Sequence, residues 1–245
     1  MSSIIKSKAF VLSKLDYGDT SKIANFYSEE FGRVAGIIKG ARSAKSKLGK
    51  AVDILNLVEI VFYRKENRDI QVVTQADLIS HYPNIKSDLE KLKYSSAIIE
   101  LVLKLTVEND PHKRLFNGIE RILNRMDSED TSPILLFAFF YKFFLNEIGY
   151  GLEEDSCSEC NKELINSNKI YYNYELGFLC DSCGKDHLIS YSFTSELFSK
   201  IICLSQRKKS CSYQNSDLES IIIFFEKFLV YHVDEFKGLK SLQIY

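Results

Sequence analysis

Four cysteines carry the most specific chemistry in this 245-residue sequence. Cys157-Ser-Glu-Cys160 and Cys180-Asp-Ser-Cys183 are two C-x2-C pairs separated by 19 residues. A C-x2-C step lets one tight turn aim two thiolates at a single ion, and two such steps complete a tetrahedral all-sulfur shell. The stretch from Lys169 to Leu179 is aromatic and holds the turn signal Glu175-Leu176-Gly177, so a zinc-ribbon hairpin would bring the pairs together. Four thiolates leave no position for water, which predicts a structural metal, with one Zn2+ per chain the favoured ion. An iron–sulfur cluster is the competing reading, and two unrelated thiol pairs a weaker one. His187, four residues past Cys183, is a spare donor read as solvated. Cys203 and Cys211 fall outside the motif, and Cys203, on an apolar helix, reads as core. With no signal peptide evident and cytoplasmic residence expected, the cysteines read as thiols or metal ligands rather than disulfides.

A second chemistry is electrostatic. The chain has 32 Lys plus Arg against 33 Asp plus Glu, a net charge of −1, which argues against a general nucleic-acid coat protein. The charge is unevenly spread. Residues 1–80 hold 13 basic and 9 acidic side chains, a net of +4, whereas residues 151–190 hold 3 and 8, a net of −5. Between Glu30 and Asp53 lie Arg33, Lys39, Arg42, Lys45, Lys47 and Lys50, with no acid among them. Such cations follow phosphates, so all six are candidate DNA-binding residues, a solvated loop being the plainer alternative. Tyr17, Phe26, Tyr27, Phe31, Phe62 and Tyr63 belong to the same region, where rings either stack on bases or fill a barrel core; core is the favoured reading. Arg207-Lys208-Lys209 reads as a polar loop.

Signatures of catalysis are missing from the sequence. Gly49-Lys50 is followed by Ala51 and lacks the earlier glycine of a phosphate cradle, and neither H-E-x-x-H nor G-x-S-x-G occurs. A noncatalytic protein is expected. The longest apolar run, Ile134 to Leu145, spans 12 residues and carries Lys142, too short to cross a bilayer.

The elements that must position these residues follow from periodicity. Residues 4–79 read as five strands, Ala9 to Leu15, Lys22 to Ser28, Arg33 to Lys39, Ala51 to Tyr63 and Ile70 to Leu78, with Arg42, Lys45, Lys47 and Lys50 on the loop after the third. Five strands in this length suit an OB-type barrel, with an SH3-like barrel or small sandwich still open. Helical spacing then takes over. Ser87-Asp88-Leu89-Glu90 is a capping box, Asp110-Pro111 and Ser132-Pro133 start two more helices, and Thr194 to Gln206 and Ser216 to Glu235 complete the set, the last opened by Ser216-Asp217-Leu218-Glu219. The expected architecture is α+β: an OB-type β-barrel over residues 1–80, then an α-helical domain over 81–245 interrupted by a four-cysteine zinc ribbon at 151–190.

Short motifs in this order resemble the bacterial RecO family of recombination mediators. They are Tyr17-Gly18-Asp19, Lys39-Gly40-Ala41-Arg42 after Gly32, Gly149-Tyr150-Gly151-Leu152 ahead of Cys157, Gly177-Phe178-Leu179-Cys180, and Leu239-Lys240-Ser241-Leu242. The resemblance covers essentially the whole chain. It implies binding to single- and double-stranded DNA, annealing of complementary strands, and work with RecR to load RecA onto SSB-coated DNA, with the acidic SSB C-terminal tail held on the helical domain. It carries the DNA-binding role onto Arg33, Lys39 and Arg42, and less directly onto Lys45, Lys47 and Lys50. It also implies a cytoplasmic, nucleoid-associated protein. A noncatalytic adaptor that recruits repair proteins and barely touches DNA is the alternative, supported by the slightly acidic total charge.

Overall fold

Alternation of apolar and polar residues builds five strands: β1 (Ser3–Tyr17), β2 (Ser21–Ser28), β3 (Gly32–Ile38), β4 (Leu57–Arg64) and β5 (Ile70–Ser80). The structure is a computed structural model describing residues 3–128, 130–206 and 211–243; Arg207-Lys208-Lys209 lies outside these. The strands close in the order β1-β2-β3-β5-β4, with β1 pairing β4 to shut the barrel. Only β3 and β5 run parallel, from Ala35↔Ile70 to Ile38↔Val73. That order is the OB arrangement, and Ala9, Val11, Ala24, Phe26, Val34, Ile38, Ile60 and Phe62 fill its interior.

Residues 51–56, expected in the fourth strand, are not extended. Ser46 Oγ accepts the Gly49 N–H at 3.0 Å and caps a short helix, α1 (Lys47–Ala51). Leu55 then takes φ 73°, so the strand begins only at Leu57. The apolar face of α1 packs its Leu48 and Ala51 into the barrel core.

Contact divides the chain into two compact units, Met1–Asp130 with Leu239–Tyr245, and Thr131–Gly238. The first therefore holds, besides the barrel, α2 (Pro83–Ser87), α3 (Leu89–Leu105) and α4 (Lys113–Ser128). The cap of α3 is Asp88, whose carboxylate accepts the Lys91 N–H at 3.0 Å, not the expected Ser87, which ends α2. Phe116 joins these helices to the barrel, stacking on Tyr27 with centroids 6.4 Å apart and tilting against Phe10 at 5.1 Å. Phe116→Ala is expected to cost about 3–5 kcal/mol in urea denaturation, the range for emptying a buried aromatic site. A loss below about 1 kcal/mol, inside the scatter of surface changes, would contradict this packing.

The segment between α3 and α4 also touches the barrel. Asn109 N–H donates to Arg33 O at 3.0 Å, and a Cβ on Gly32, itself at φ 63°, would lie 2.1 Å from Asp110 O. Glycine is required there by both backbone conformation and space. At the far end of the sequence, Lys240 and Ser241 N–H groups and the Ser241 hydroxyl all donate to the Glu100 carboxylate of α3 at 2.8–3.0 Å.

The second unit packs α5 (Pro133–Glu147), α6 (Ser195–Gln206) and α7 (Asn215–His232) with a sheet ordered β7-β6-β8: β6 (Lys169–Asn173), β7 (Gly177–Leu179) and β8 (Tyr191–Thr194). Helix α7 opens two residues earlier than its expected box, because Gln214 N–H donates to Asp217 while the Gln214 side chain accepts the Asp217 N–H. It ends at His232, three residues short of Glu235. Lys142, the charge within the apolar run, is buried in α5 and bonded to the buried Glu154. Burial pushes the ammonium down and the carboxyl up, and the charge of each partner opposes the shift of the other. Among the described residues, no helix is long and apolar enough to cross a membrane.

Candidate metal centre and nucleic-acid interface

The first cysteine pair sits on a turn closed by the Cys157 N–H to Lys162 O bond at 2.8 Å and the Asn161 N–H to Cys157 O bond at 2.9 Å. Asn161 takes φ 59°, which asparagine tolerates better than most residues. The second pair follows β7, where Gly184 N–H donates to Cys180 O at 3.0 Å and a 3-10 turn spans Cys183–Lys185. Between them the β6–β7 hairpin turns as the sequence suggests: Asn173 Oδ1 accepts the Glu175 and Leu176 N–H groups at 2.8 and 2.9 Å. Ser158 N–H donates to Phe178 O at 2.9 Å and docks the first turn on the hairpin.

All four sulfurs lie within 4.8 Å of one another. Cys160 and Cys180 Sγ are 3.7 Å apart, close to the edge of about 3.8 Å expected for a tetrahedron with metal–sulfur bonds of about 2.3 Å. A cluster of several irons spreads its thiolates over separate metal atoms, so this spacing suits one ion. The thiols are already electronically divided. For Cys157 burial pushes the pKa up, but backbone N–H groups of Cys160, Cys180 and Glu159 bring it down to about 7. Cys180 is likewise lowered by the Cys183 and Ser182 N–H groups against its burial, while Cys160 and Cys183 are raised. The four residues fit a metal ion. His187 takes no part in the cluster and bonds the Glu159 carboxylate at 3.0 Å.

The expectation that every cysteine is a thiol or ligand fails at one pair. Cys203 and Cys211 are joined as a disulfide with Cα atoms 6.5 Å apart, a separation disulfides commonly span. Cys203 is accordingly half-buried at the end of α6 rather than in the core.

The basic run divides into engaged and exposed cations. Arg33, half-buried on β3, lies 3.4 Å from Glu108. Arg42 donates to Gly18 O at 2.6 Å and sits 3.5 Å from Asp16, tying the loop after β3 to the β1–β2 turn. Lys39, Lys45, Lys47 and Lys50 are exposed, with no ion pair among the described residues. The sequence reading put Lys47 and Lys50 on a loop; they ride α1, whose Leu48 and Ala51 pack into the core. Of the rings, Phe26, Tyr27 and Phe62 are buried, and Phe31 is edge-on to Phe62 with Arg64 over its face at 4.7 Å. Tyr17 and Tyr63 remain 54% and 40% exposed, which leaves two rings available to an external partner.

Register adds a feature that composition does not reveal. Cross-strand pairs link Leu15↔Ile23, Ile23↔Ile37, Ile37↔Val72, Val72↔Tyr63 and Tyr63↔Ile4. Directly paired residues share a face, so a partly exposed apolar row circles the outside of the barrel.

Comparison with known proteins covers most of the chain. The family described as Recombination protein O N terminal matches residues 1–82, and that described as Recombination protein O C terminal matches residues 86–241. The chain is similar to DNA repair protein RecO of Chloroherpeton thalassium, with 25% identity over 254 residues, 99% of this chain and 98% of that one. It is 28% identical to RecO of Acetivibrio thermocellus over 180 residues, 73% of this chain and 70% of that one. With RecO of Chlorobium luteolum the identity is 35% over 162 residues, 66% of this chain and 61% of that one.

Proposed function

Because the chain belongs to the RecO family of DNA repair proteins, we propose that it binds single- and double-stranded DNA through its barrel, anneals complementary strands and, with RecR, helps to load RecA onto SSB-coated DNA. The observation that carries this reading is the acid-free run on the OB barrel, which leaves Lys39, Lys45, Lys47 and Lys50 exposed. OB barrels hold single strands by following phosphates with cations and stacking bases on rings. The four lysines are the foremost DNA contacts. Arg42 contributes charge while holding the β1–β2 turn, and Arg33, paired with Glu108, contributes least.

The mechanism needs no covalent step. Cations offset phosphate repulsion so that two strands can approach, and the cysteine centre holds Zn2+ as a staple for its ribbon. The helical part over 81–245, with its ribbon insert at 151–190, receives the acidic SSB C-terminal tail, and the protein acts in the cytoplasm at the nucleoid. Four to five phosphate contacts should make log affinity for a single strand fall against log salt with a slope of about −3. Strand annealing with and without SSB tests the reading. Acceleration of annealing, retained on SSB-coated strands, is expected; neither annealing nor salt-sensitive binding would leave the noncatalytic adaptor in its place.

A further inference from the structure

The outer wall of the barrel differs between its two ends. Toward one end, Phe10 and Tyr27 pair across β1 and β2 and lie against Phe116 of α4. Toward the other, the row Ile23, Ile37, Val72 and Tyr63 crosses β2, β3, β5 and β4. Their chain neighbours Ala24, Ile38, Val73 and Phe62 fill the core, so alternation turns these four outward. Tyr63 is exposed and the other three are half-buried. Beside them runs a second outward row, Asn25, Ala35 and the exposed Ile70. None of these side chains is charged, although a strand face turned to water is ordinarily polar. On β3 the next outward position after Ile37 is Lys39, exposed and first of the free lysines, and the one before Ala35 is Arg33, held by Glu108. Acids stand past the ends of the rows: Asp16, paired with Lys22 and Arg42, and Glu66 and Asp69 in the β4–β5 turn.

We infer that these two rows form a base-contacting track that only unpaired DNA can use, so that the barrel holds a single strand by bases and phosphates but a duplex by phosphates alone. The inference rests on the DNA-binding reading above. An uncharged wall accepts the apolar faces of unpaired bases, and the Tyr63 ring at its end is a stacking platform. Lys39 at the border carries the phosphates onward to Lys45, Lys47 and Lys50, which makes the track continuous with the cationic run. Those free cations along its edge favour a polyanion over an apolar protein as the occupant. The size fits as well. Three inter-strand steps of about 4.8 Å give a length of about 14 Å, which is about four nucleotides at 3.4 Å each, within the range of one OB fold. The track also gives annealing a direction. Pairing withdraws the bases from the wall, so the duplex product is held less tightly than either strand.

The test uses the full chain and three labelled 30-mers: a single strand, an abasic strand and a duplex. The wild-type chain is expected to bind the single strand about fivefold or more tighter than the abasic strand, the worth of one base–ring stack. Tyr63→Ala should remove that advantage while abasic and duplex affinities stay within about twofold, and Tyr63→Phe, which keeps the ring, should bind as wild type does. Should Tyr63→Ala fail to fold by circular dichroism, Ile37→Thr/Val72→Thr, which keeps β-branched side chains on the strands, is read instead. Equal wild-type affinity for the single and abasic strands would overturn the track while leaving the lysine reading intact. So would a Tyr63→Ala chain that keeps its single-strand affinity but loses a wild-type self-association in sedimentation, which would make the wall a contact between copies. A wild-type chain that binds none of the three would remove the DNA reading itself.

Discussion

Cys180→Ser is expected to remove metal from the protein and unfold the ribbon. Elemental analysis of protein purified without chelator should give one zinc per wild-type chain and little or none in the variant. The segment from Ser156 to Thr194 contains three strands of three to five residues, held by two turns that converge on the sulfurs. Structural zinc contributes roughly 10–16 kcal/mol to folding such a segment, more than the whole stability of many domains. The variant should therefore become sensitive to protease between residues 151 and 194. Because thiolates bind metal in competition with protons, affinity should fall as the pH is lowered, and release to a chelator should quicken. Iron in place of zinc, or a Cys180→Ser protein that keeps both its metal and its protease resistance, would refute the assignment.

The second large effect concerns DNA. Lys39→Glu/Lys45→Glu/Lys47→Glu/Lys50→Glu should reduce single-strand affinity at low salt by roughly a hundredfold or more and flatten the salt slope by about 2.8, at 0.7 per contact. Stability should change by less than about 0.5 kcal/mol per site, as for surface positions away from special features, since these side chains are exposed. Arg42 is deliberately left out of this variant. Reversing it would place an acid beside Asp16 and release the bond to Gly18 O, mixing a folding defect with a binding one. Anisotropy titrations at two salt concentrations measure the result. Affinity equal to wild type at both would move the DNA contact elsewhere and favour the adaptor.

These two predictions draw on features of different legibility. The four-cysteine cluster could be read directly because each C-x2-C pair is local and the spacing brings all four sulfurs within reach of one ion. The barrel was visible in outline through its β-branched and aromatic segments. Its fourth strand was overextended because Ala51 to Tyr63 is almost continuously apolar, and the break made by the Ser46 cap and Leu55 leaves little trace in hydropathy. Pairings across long separations were out of reach. Nothing near Arg33 announces Glu108, nor does Glu100 announce Ser241. The strand β8 escaped notice because four residues leading straight into α6 carry too little periodicity of their own. The Cys203–Cys211 bond was missed because the compartment argument concerns cysteines in general, whereas the pairing depends on how α6 and α7 meet.

The return of Leu239–Leu242 to Glu100 has a consequence for the order of assembly. The chain leaves its first unit at Asp130 and re-enters it at Leu239, so the metal-bearing unit is a parenthesis within the other. During synthesis the barrel can close early, but the carboxylate on α3 must wait for residues 239–242 to emerge before it finds its donors. Until the parenthesis folds, closing the first unit means closing a long flexible loop between residues 130 and 239, and its folding shortens that loop and lowers the entropic cost of the last contacts.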